Sequence, residues 1–398
     1  MKRREAMMKR REAMSERRTA MRNARSITVS VLVALTFTFS AAVSLAQDGD
    51  IVAERGYAGL QEPWLVWDAA SCSFKPTDDH PDSYSAQLRK AGDDGPTFVY
   101  ATADTTLPVQ KTINGSYLKY AELSGANMTM LSNEYPSKTK PIFLAKQVAA
   151  MKPDVVISAI WIPALYSAVG KTYLDACVPF LNMHNMPIDF LVPGFQNSFP
   201  VTGVVLADGV IQVVREKGWP TEEIWLMVCG TPIVAQGAGT LEDVLTHFTA
   251  RIDSELKIPK EQQSGILDCK EGAMGARVVA TDWLTAHPQA KRVIAVYWND
   301  LIALAMAQAL KQKGYTSDNA IAAGGDASDA ALEVMTQPGA ILQVNADKLF
   351  PTWGIIGLSM AQDVAAGRPV PSYVDTGVGA VVGAEEARKM LEERRQSE

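Results

Sequence analysis

From about residue 95 onward, short apolar runs alternate with longer stretches whose apolar positions recur at helical spacing. "PTFVYATAD" (96–104) reads as a buried strand, and a helical stretch follows to about residue 123. "NMTMLSN" is a second strand and "KPIFLAKQVAAM" a helix. "DVVISAIW" (154–161) is a third strand, "PALYSAVGKTYLDA" its helix, and "VPFLNMH" a fourth strand. The segment "NMPIDFLVPGFQNSFPVTG" then breaks the rhythm with Pro187, Pro193 and Pro200. Proline lacks a backbone donor and restricts its predecessor, so this segment is expected to be a connection between domains. Alternation resumes with the helix "GVIQVVREKGW" and the strand "EIWLMVCG". It continues through the helix "LEDVLTHFTARIDSEL", the strand "SGILDCK", a helix ending "TDWLTAHP", and the strand "RVIAVYW". "AIAAGGD" and "GAILQVNAD" are further strands, and a last long helix spans about 351–366. Strands alternating with helices predict an α/β protein of two domains, each a parallel sheet covered by helices. Residues 47–94, with Trp64, Trp67 and Cys72, fit neither series and are expected to form an N-terminal extension packed on the first domain.

The first 46 residues change the picture. Residues 1–14 are "MKRREAM" written twice, and Met21 opens a second basic start with Arg22 and Arg25. The apolar run "ITVSVLVALTFTF" and a small-residue stretch ending "SLA" follow. This order predicts a signal peptide over 1–46, cleaved after Ala46, with 1–20 an unused upstream start. The apolar run is shorter than the ~20 residues of a membrane span. Residues 1–46 hold ten of the 38 basic and three of the 44 acidic side chains, leaving 28 against 41, a net charge of about −13. So acidic a surface repels phosphate backbones, and no nucleic-acid partner is expected. The four cysteines, Cys72, Cys177, Cys229 and Cys269, show no CxxC spacing. Cys229 and Cys269 both lie near strand ends. They form a disulfide if those strands are neighbours, and stay buried thiols otherwise.

Open parallel sheets bind ligands beyond the carboxyl ends of their strands. The first strand delivers Asp104 and Thr105 there, the third Trp161, and the fourth His184 and Asn185. In the second domain the strand ends deliver Gln236, then Asp268, Lys270 and Glu271, then Trp298, Asn299 and Asp300. Asp326, Asn345 and Asp347 complete the set. Asp300 is expected to cap the helix beginning at Leu301. Asn299, whose amide both donates and accepts, is then available for binding. Carboxylates and amides suit hydroxyl groups, and Trp161 and Trp298 could cover the C–H faces of a sugar ring or simply fill the core. No GxSxG or HExxH occurs, and the four histidines lack metal spacing, so neither an enzyme nor a metal site nor a cofactor is expected. "LYSAVGKT" mimics a phosphate loop, but Leu165 stands where the loop needs glycine.

These residues resemble a known family. "LTAHPQAKRVIAVYWNDLIALAMAQALKQKGY", "AIAAGGDASDAALEVM", "GAILQVNADKLFPTWGIIGLSMAQDVAAGRPVP" and "CGTP…QG" look like stretches of the ribose-type periplasmic substrate-binding proteins of ABC transporters. The likeness spans about 95–385 and is strongest over 280–370. It implies a type I periplasmic-binding-protein fold, two Rossmann-like lobes joined by a hinge. One lobe would comprise 95–198 plus 346–373, the other 199–345 plus 374–390. It implies ligand contacts at Asn299, Asp326 and Asn345, with Gln236 where the family often has arginine. Asp104 or Thr105 falls at the family's first-strand asparagine, and His184-Asn185 at its Asp-Arg pair. The two arginines that grip ring oxygens in ribose-type sites are absent. The resemblance also implies a monomeric periplasmic receptor that closes on a monosaccharide or polyol and presents it to a membrane permease. A LacI-type regulator of the same fold needs a DNA-binding domain where this chain is expected to carry a signal peptide. A receptor presenting ligand to a chemosensor shares every feature above.

Overall fold

The computed structural model describes residues 51–397, apart from 57–59, 185–187, 231–240 and 270–271. The expected signal peptide and upstream start therefore lie outside the described residues, as do Asn185, Gln236 and Lys270. In chain order the first elements are β1 (Ile51–Gly56), β2 (Leu60–Asp68), β3 (Ser73–Thr77), β4 (Ser85–Arg89) and β5 (Thr97–Thr102). There follow α1 (Pro108–Ser124), β6 (Asn127–Ser132), α2 (Lys140–Met151), β7 (Val155–Ala159), α3 (Pro163–Asp175), β8 (Phe180–Met183) and β9 (Gly194–Gln196). The second half holds α4 (Phe199–Glu216), β10 (Ile224–Gly230), α5 (Leu241–Leu256), β11 (Gln263–Asp268), α6 (Ala273–Ala286), β12 (Arg292–Val296) and α7 (Asp300–Gln312). It closes with β13 (Ala320–Gly325), α8 (Asp329–Met335), β14 (Leu342–Asp347), α9 (Trp353–Ala365), β15 (Val370–Asp375), β16 (Gly379–Val382) and α10 (Gly383–Ser397).

Two large sheets result. One has the order β3-β2-β15-β9-β8-β7-β5-β6, parallel from β15 to β6. The other has the order β11-β10-β12-β13-β14-β16, parallel except at β16. This is the expected α/β architecture with parallel sheets. Strand β10 shows why the pattern forces it. Trp225, Met227 and Cys229 pack into one apolar cluster, and Ile224, Leu226 and Val228 into another on the opposite face. A strand apolar on both faces can only be central in a sheet covered by helices on both sides.

Two differences from the sequence reading have simple causes. The proline-rich segment contains β9, because the carbonyl of Pro193 still accepts from Asn182 N–H at 2.8 Å. Pro200 does not delay the next helix: it sits in the first turn of α4, where its missing donor costs nothing, and Ser198 caps that turn through Val201 N–H. Residues 51–89, expected only as an extension packed on the first domain, form four strands. β2 pairs antiparallel with β15 and β3 with β2, while β1 and β4 form a separate ribbon. Gln362 on α9 holds Arg89 of that ribbon like a neighbouring strand, accepting from its N–H at 2.8 Å and donating to its carbonyl at 2.7 Å. Both cysteine pairs are bonded. Cys229 joins Cys269, and Cys72, after β2, joins Cys177, after α3.

Helices α1 and α9 approach closely because α9 carries glycine where they cross. A Cβ at Gly354 would stand 2.5 Å from the backbone oxygen of Ser116 and 2.6 Å from its carbonyl carbon. Gly354→Ala should therefore destabilise the fold by ~1–3 kcal/mol through overpacking against backbone that cannot yield. A thermal melt checks this, and an unchanged midpoint would mean that α9 shifts without cost.

Candidate functional site

The carboxyl ends of β12, β13 and β14 are tied together by one buried carboxylate. Asp300, almost fully buried, accepts from the N–H and hydroxyl of Ser328 at 2.7 and 2.6 Å, and from Asn345 Nδ2 at 2.7 Å. Asn345, with no exposed surface, passes the chain of bonds on. Its Oδ1 accepts from Asp326 N–H at 3.1 Å and Ala327 N–H at 2.9 Å. Burial raises the Asp300 pKa above the usual carboxylate value, opposed by the bonds from Ser328 and Asn345.

The cap of the helix is therefore Asn299 and not Asp300 as expected. The Asn299 Oδ1 accepts from Ile302 N–H at 3.0 Å. Asp300 lies one residue inside the helix, where its side chain reaches back to the turn after β13. The amide of Asn345, an expected ligand contact, bonds to Asp300 and to the turn at Asp326.

Asp326 is held by a residue that the sequence reading passed over. Lys348 Nζ donates to Asp326 Oδ1 at 2.8 Å, to Trp298 O at 3.1 Å and to Gly325 O at 3.2 Å. Both side chains of the pair are nearly buried, and the ammonium lies 5.3 Å from the Trp298 ring and 5.9 Å from the Phe350 ring. Burial raises the Asp326 pKa to about 7, with Lys348 lowering it and Asp300 raising it further. Gly325 lets the Trp298 carbonyl lie close to the end of β13, since a Cβ there would meet Trp298 O at 2.9 Å. The one available signal was a charged residue directly after "LQVNAD", beside a strand end already rich in carboxylates.

The first sheet contributes a different chemistry. Asp104 Oδ1 accepts from Thr106 N–H at 2.5 Å, Thr106 hydroxyl at 2.6 Å and Leu107 N–H at 3.0 Å, shaping the turn into α1. Burial pushes its pKa up, but those bonds and the Thr105 N–H outweigh it and hold the carboxyl below its usual value. Thr105 itself is exposed. After β7, Trp161 Nε1 donates to His184 Nε2 at 2.7 Å, which leaves the imidazole proton on Nδ1. Tyr135 and His184 both meet Trp161 edge-on, at 5.4 and 5.7 Å between ring centroids, and His184 lies 5.3 Å from Trp353. His184 has a left-handed φ of 74°, held by its N–H bond to Phe195 O at 3.0 Å. Burial, then the charge of Lys348, pushes its pKa down to about 3, so the ring is neutral at physiological pH.

Thus Asp104, Trp161 and His184 line strand ends of one sheet, and Trp298, Asn299 and Asp326 those of the other. Among the described residues no cluster of three or more His, Cys, Asp or Glu side chains could hold a metal ion, and no helix is long and apolar enough to cross a membrane.

No protein-family model matches the sequence, and no curated protein matches it. Solved structures do match the fold. An ABC transporter solute-binding protein from Mycobacterium smegmatis with bound glycerol superposes with a TM-score of 0.61 at 18% identity, over 74% of this chain and 96% of that one. A carbohydrate transporter solute-binding protein from Agrobacterium radiobacter, in complex with D-arabinose, gives 0.60 at 20% identity, over 76% and 99%. A periplasmic solute-binding protein from Actinobacillus succinogenes 130z with bound D-allose gives 0.62 at 14%, over 74% and 99%. The chain has the fold of the type I periplasmic binding proteins.

The neutral His184 carries a pH signature. Unfolded, an imidazole charges near 6.5; folded, His184 stays neutral to about 3. Between those values the unfolded chain binds the extra proton, so this residue's contribution to stability is lost as pH falls through that window. Urea denaturation of the wild type and of His184→Gln should show the wild type losing stability relative to the variant below about pH 6.5. A difference independent of pH would mean that His184 protonates equally in both states.

Proposed function

We propose that this chain is the solute-binding receptor of an ABC importer. It takes a sugar or similar small polar solute between its two lobes and delivers it to a membrane permease. The observation that supports this reading is that Asp104, Trp161 and His184 lie at carboxyl strand ends of one sheet, and Trp298, Asn299 and Asp326 at those of the other. The same fold holds glycerol, D-arabinose and D-allose in the solved neighbours. Ligand sites of α/β sheets lie at such ends. Hydroxyl groups would meet the carboxylates of Asp104 and Asp326, the Nδ1 donor of His184 and the amide of Asn299. Trp161 and Trp298 would cover the apolar faces of the ring. Asn345 would act indirectly, through Asp300 and the turn that carries Asp326. Asn185, Gln236 and Lys270 remain part of the proposed site from the sequence alone.

In this reading the lobes are 95–198 with 346–373, and 199–345 with 374–390. Both half-sites are satisfied only when the lobes close, so ligand shifts the population toward the closed form. The protein would work as a periplasmic monomer without cofactor, exported by residues 1–46 and recognising no nucleic acid. The site would perform no reaction.

Tryptophan fluorescence and thermal shift on residues 47–398 test the proposal against D-arabinose, D-allose, glycerol and other pentoses, hexoses and polyols. Ligand at ~100 times its Kd should add about 2.7 kcal/mol of stability. Stabilisation by a sugar or polyol is expected, and silence across the panel would overturn the reading. With the ligand so found, Asp326→Ala should weaken binding by ~2–5 kcal/mol in calorimetry, because a buried charged partner is removed. Unchanged affinity would take Asp326 out of the site.

A further inference from the structure

We propose that Lys348 is a positioning residue of this binding site, orienting Asp326 toward the ligand and favouring its ionised form. The inference rests on the receptor reading and deepens it. Lys348 follows β14 directly, and the chain then leaves for α9, which packs in the first lobe through Gly354 and Ser116. A surface lysine there would point to water. This one is buried, and its three bonds go to three points that define the site: Trp298 O after β12, Gly325 O at the end of β13, and the Asp326 carboxylate. An ammonium has three protons to give, so these contacts use its donor capacity in full. It therefore cannot also serve as a hydrogen-bond donor to a ligand while these bonds hold. What it can do is set where the Asp326 carboxylate points and where the Trp298 backbone, and with it the ring, is held. Its own carbonyl is anchored too, by Trp353 Nε1 at 3.1 Å.

The charges around Lys348 agree with that role. Asp326 faces it directly, and Asp300 adds negative charge behind Asp326. His184 from the first sheet feels its positive charge and stays neutral. Asp347, the preceding residue, has Arg394 of α10 at 3.8 Å. Beside Lys348 the Asp326 pKa stands at about 7; without that ammonium it would be a buried carboxyl with a like charge nearby, and its protonation would extend further above neutral pH. A protonated Asp326 offers a sugar hydroxyl a different and weaker partner than a carboxylate does.

The test uses the full chain from residue 47, with the sugar or polyol from the panel that binds the wild type as probe. Affinities are measured by calorimetry for the wild type, Lys348→Met, Asp326→Asn and the double variant, from pH 6 to 9. Lys348→Met is expected to weaken binding by about tenfold or more at pH 7. Its affinity should rise with pH over a higher range than the wild type's, because the ionised carboxyl is the binding form and Lys348 lowers its pKa. The double variant should bind no worse than Asp326→Asn alone and show no such slope, since Lys348 acts through Asp326. His184 and Asp347 are present in all four proteins, so any slope of theirs survives in the double variant and is subtracted. Additive losses would overturn the proposal, as would a pH-independent loss in Lys348→Met. If Asp326→Asn binds like the wild type, Asp326 is not a ligand partner and the inference falls while the receptor reading stands. If no probe binds the wild type, both fall together. Lys348→Gln, which keeps donors but no charge, replaces the methionine variant if circular dichroism shows that variant unfolded. Should neither fold, Lys348 is a folding determinant and the proposal fails.

Discussion

Burying a carboxylate is expensive unless its lone pairs are met, and the second lobe is organised around meeting those of Asp300. Its oxygens gather the hydroxyl and N–H of Ser328 and the amide of Asn345, and Asn345 in turn gathers the N–H groups of Asp326 and Ala327. Two successive strand-to-helix turns and the end of β14 are thereby held in one hydrogen-bonded unit. Breaking one member leaves the others buried and unsatisfied, which costs far more than the bond itself contributes. The ion pair of Lys348 and Asp326 adds a second buried unit beside the first. Such a pair adds little net stability over apolar packing, yet it defines one arrangement of charge where a looser site would allow several.

The two sheets end in different chemistry. On the second, charge and amide groups are fixed by the hydrogen-bond network. On the first, aromatic edges dominate: Tyr135, Trp161, His184 and Trp353 contact one another in sequence, and His184 serves as a neutral polar member of that group. The charge of Lys348 reaches across to this second group, since it helps keep His184 unprotonated.

The strands before residue 90 bear on the crossings between the lobes. Arg55 on β1 donates to Thr352 Oγ1 just before α9 and to Thr376 O just after β15, so it touches two of the segments that run from one sheet to the other. Arg89 and Arg368 both bind Asp363 on α9, and Tyr84 donates to the same carboxylate. The bond between Cys72 and Cys177 closes a long loop across the first lobe. β2 and β3 also extend the sheet beyond β15, so β15 is not left as an edge.

Much of this was legible in the order of residues. Alternating apolar runs and helical periodicity are local, and they determine the element types, the α/β class and the parallel sheets, because a strand apolar on both faces has one stable setting. The strand-end inventory followed from the same pattern, and it placed Asp104, Trp161, His184, Asn299 and Asp326 at the right ends. What the chain alone left open was which of two adjacent polar residues caps a helix and which turns inward. Asn299 and Asp300 differ by one position and about 100° around the helix axis. Only the location of Ser328 and Asn345, far along the chain, selects Asp300 for the interior. The same holds for Lys348, for the pairing of Cys72 with Cys177, and for the strands before residue 90. Each depends on a partner more than twenty residues away in sequence. Local pattern sets which way a side chain faces; only the packed fold supplies what it faces, because hydrogen-bond satisfaction is decided between segments and not within them.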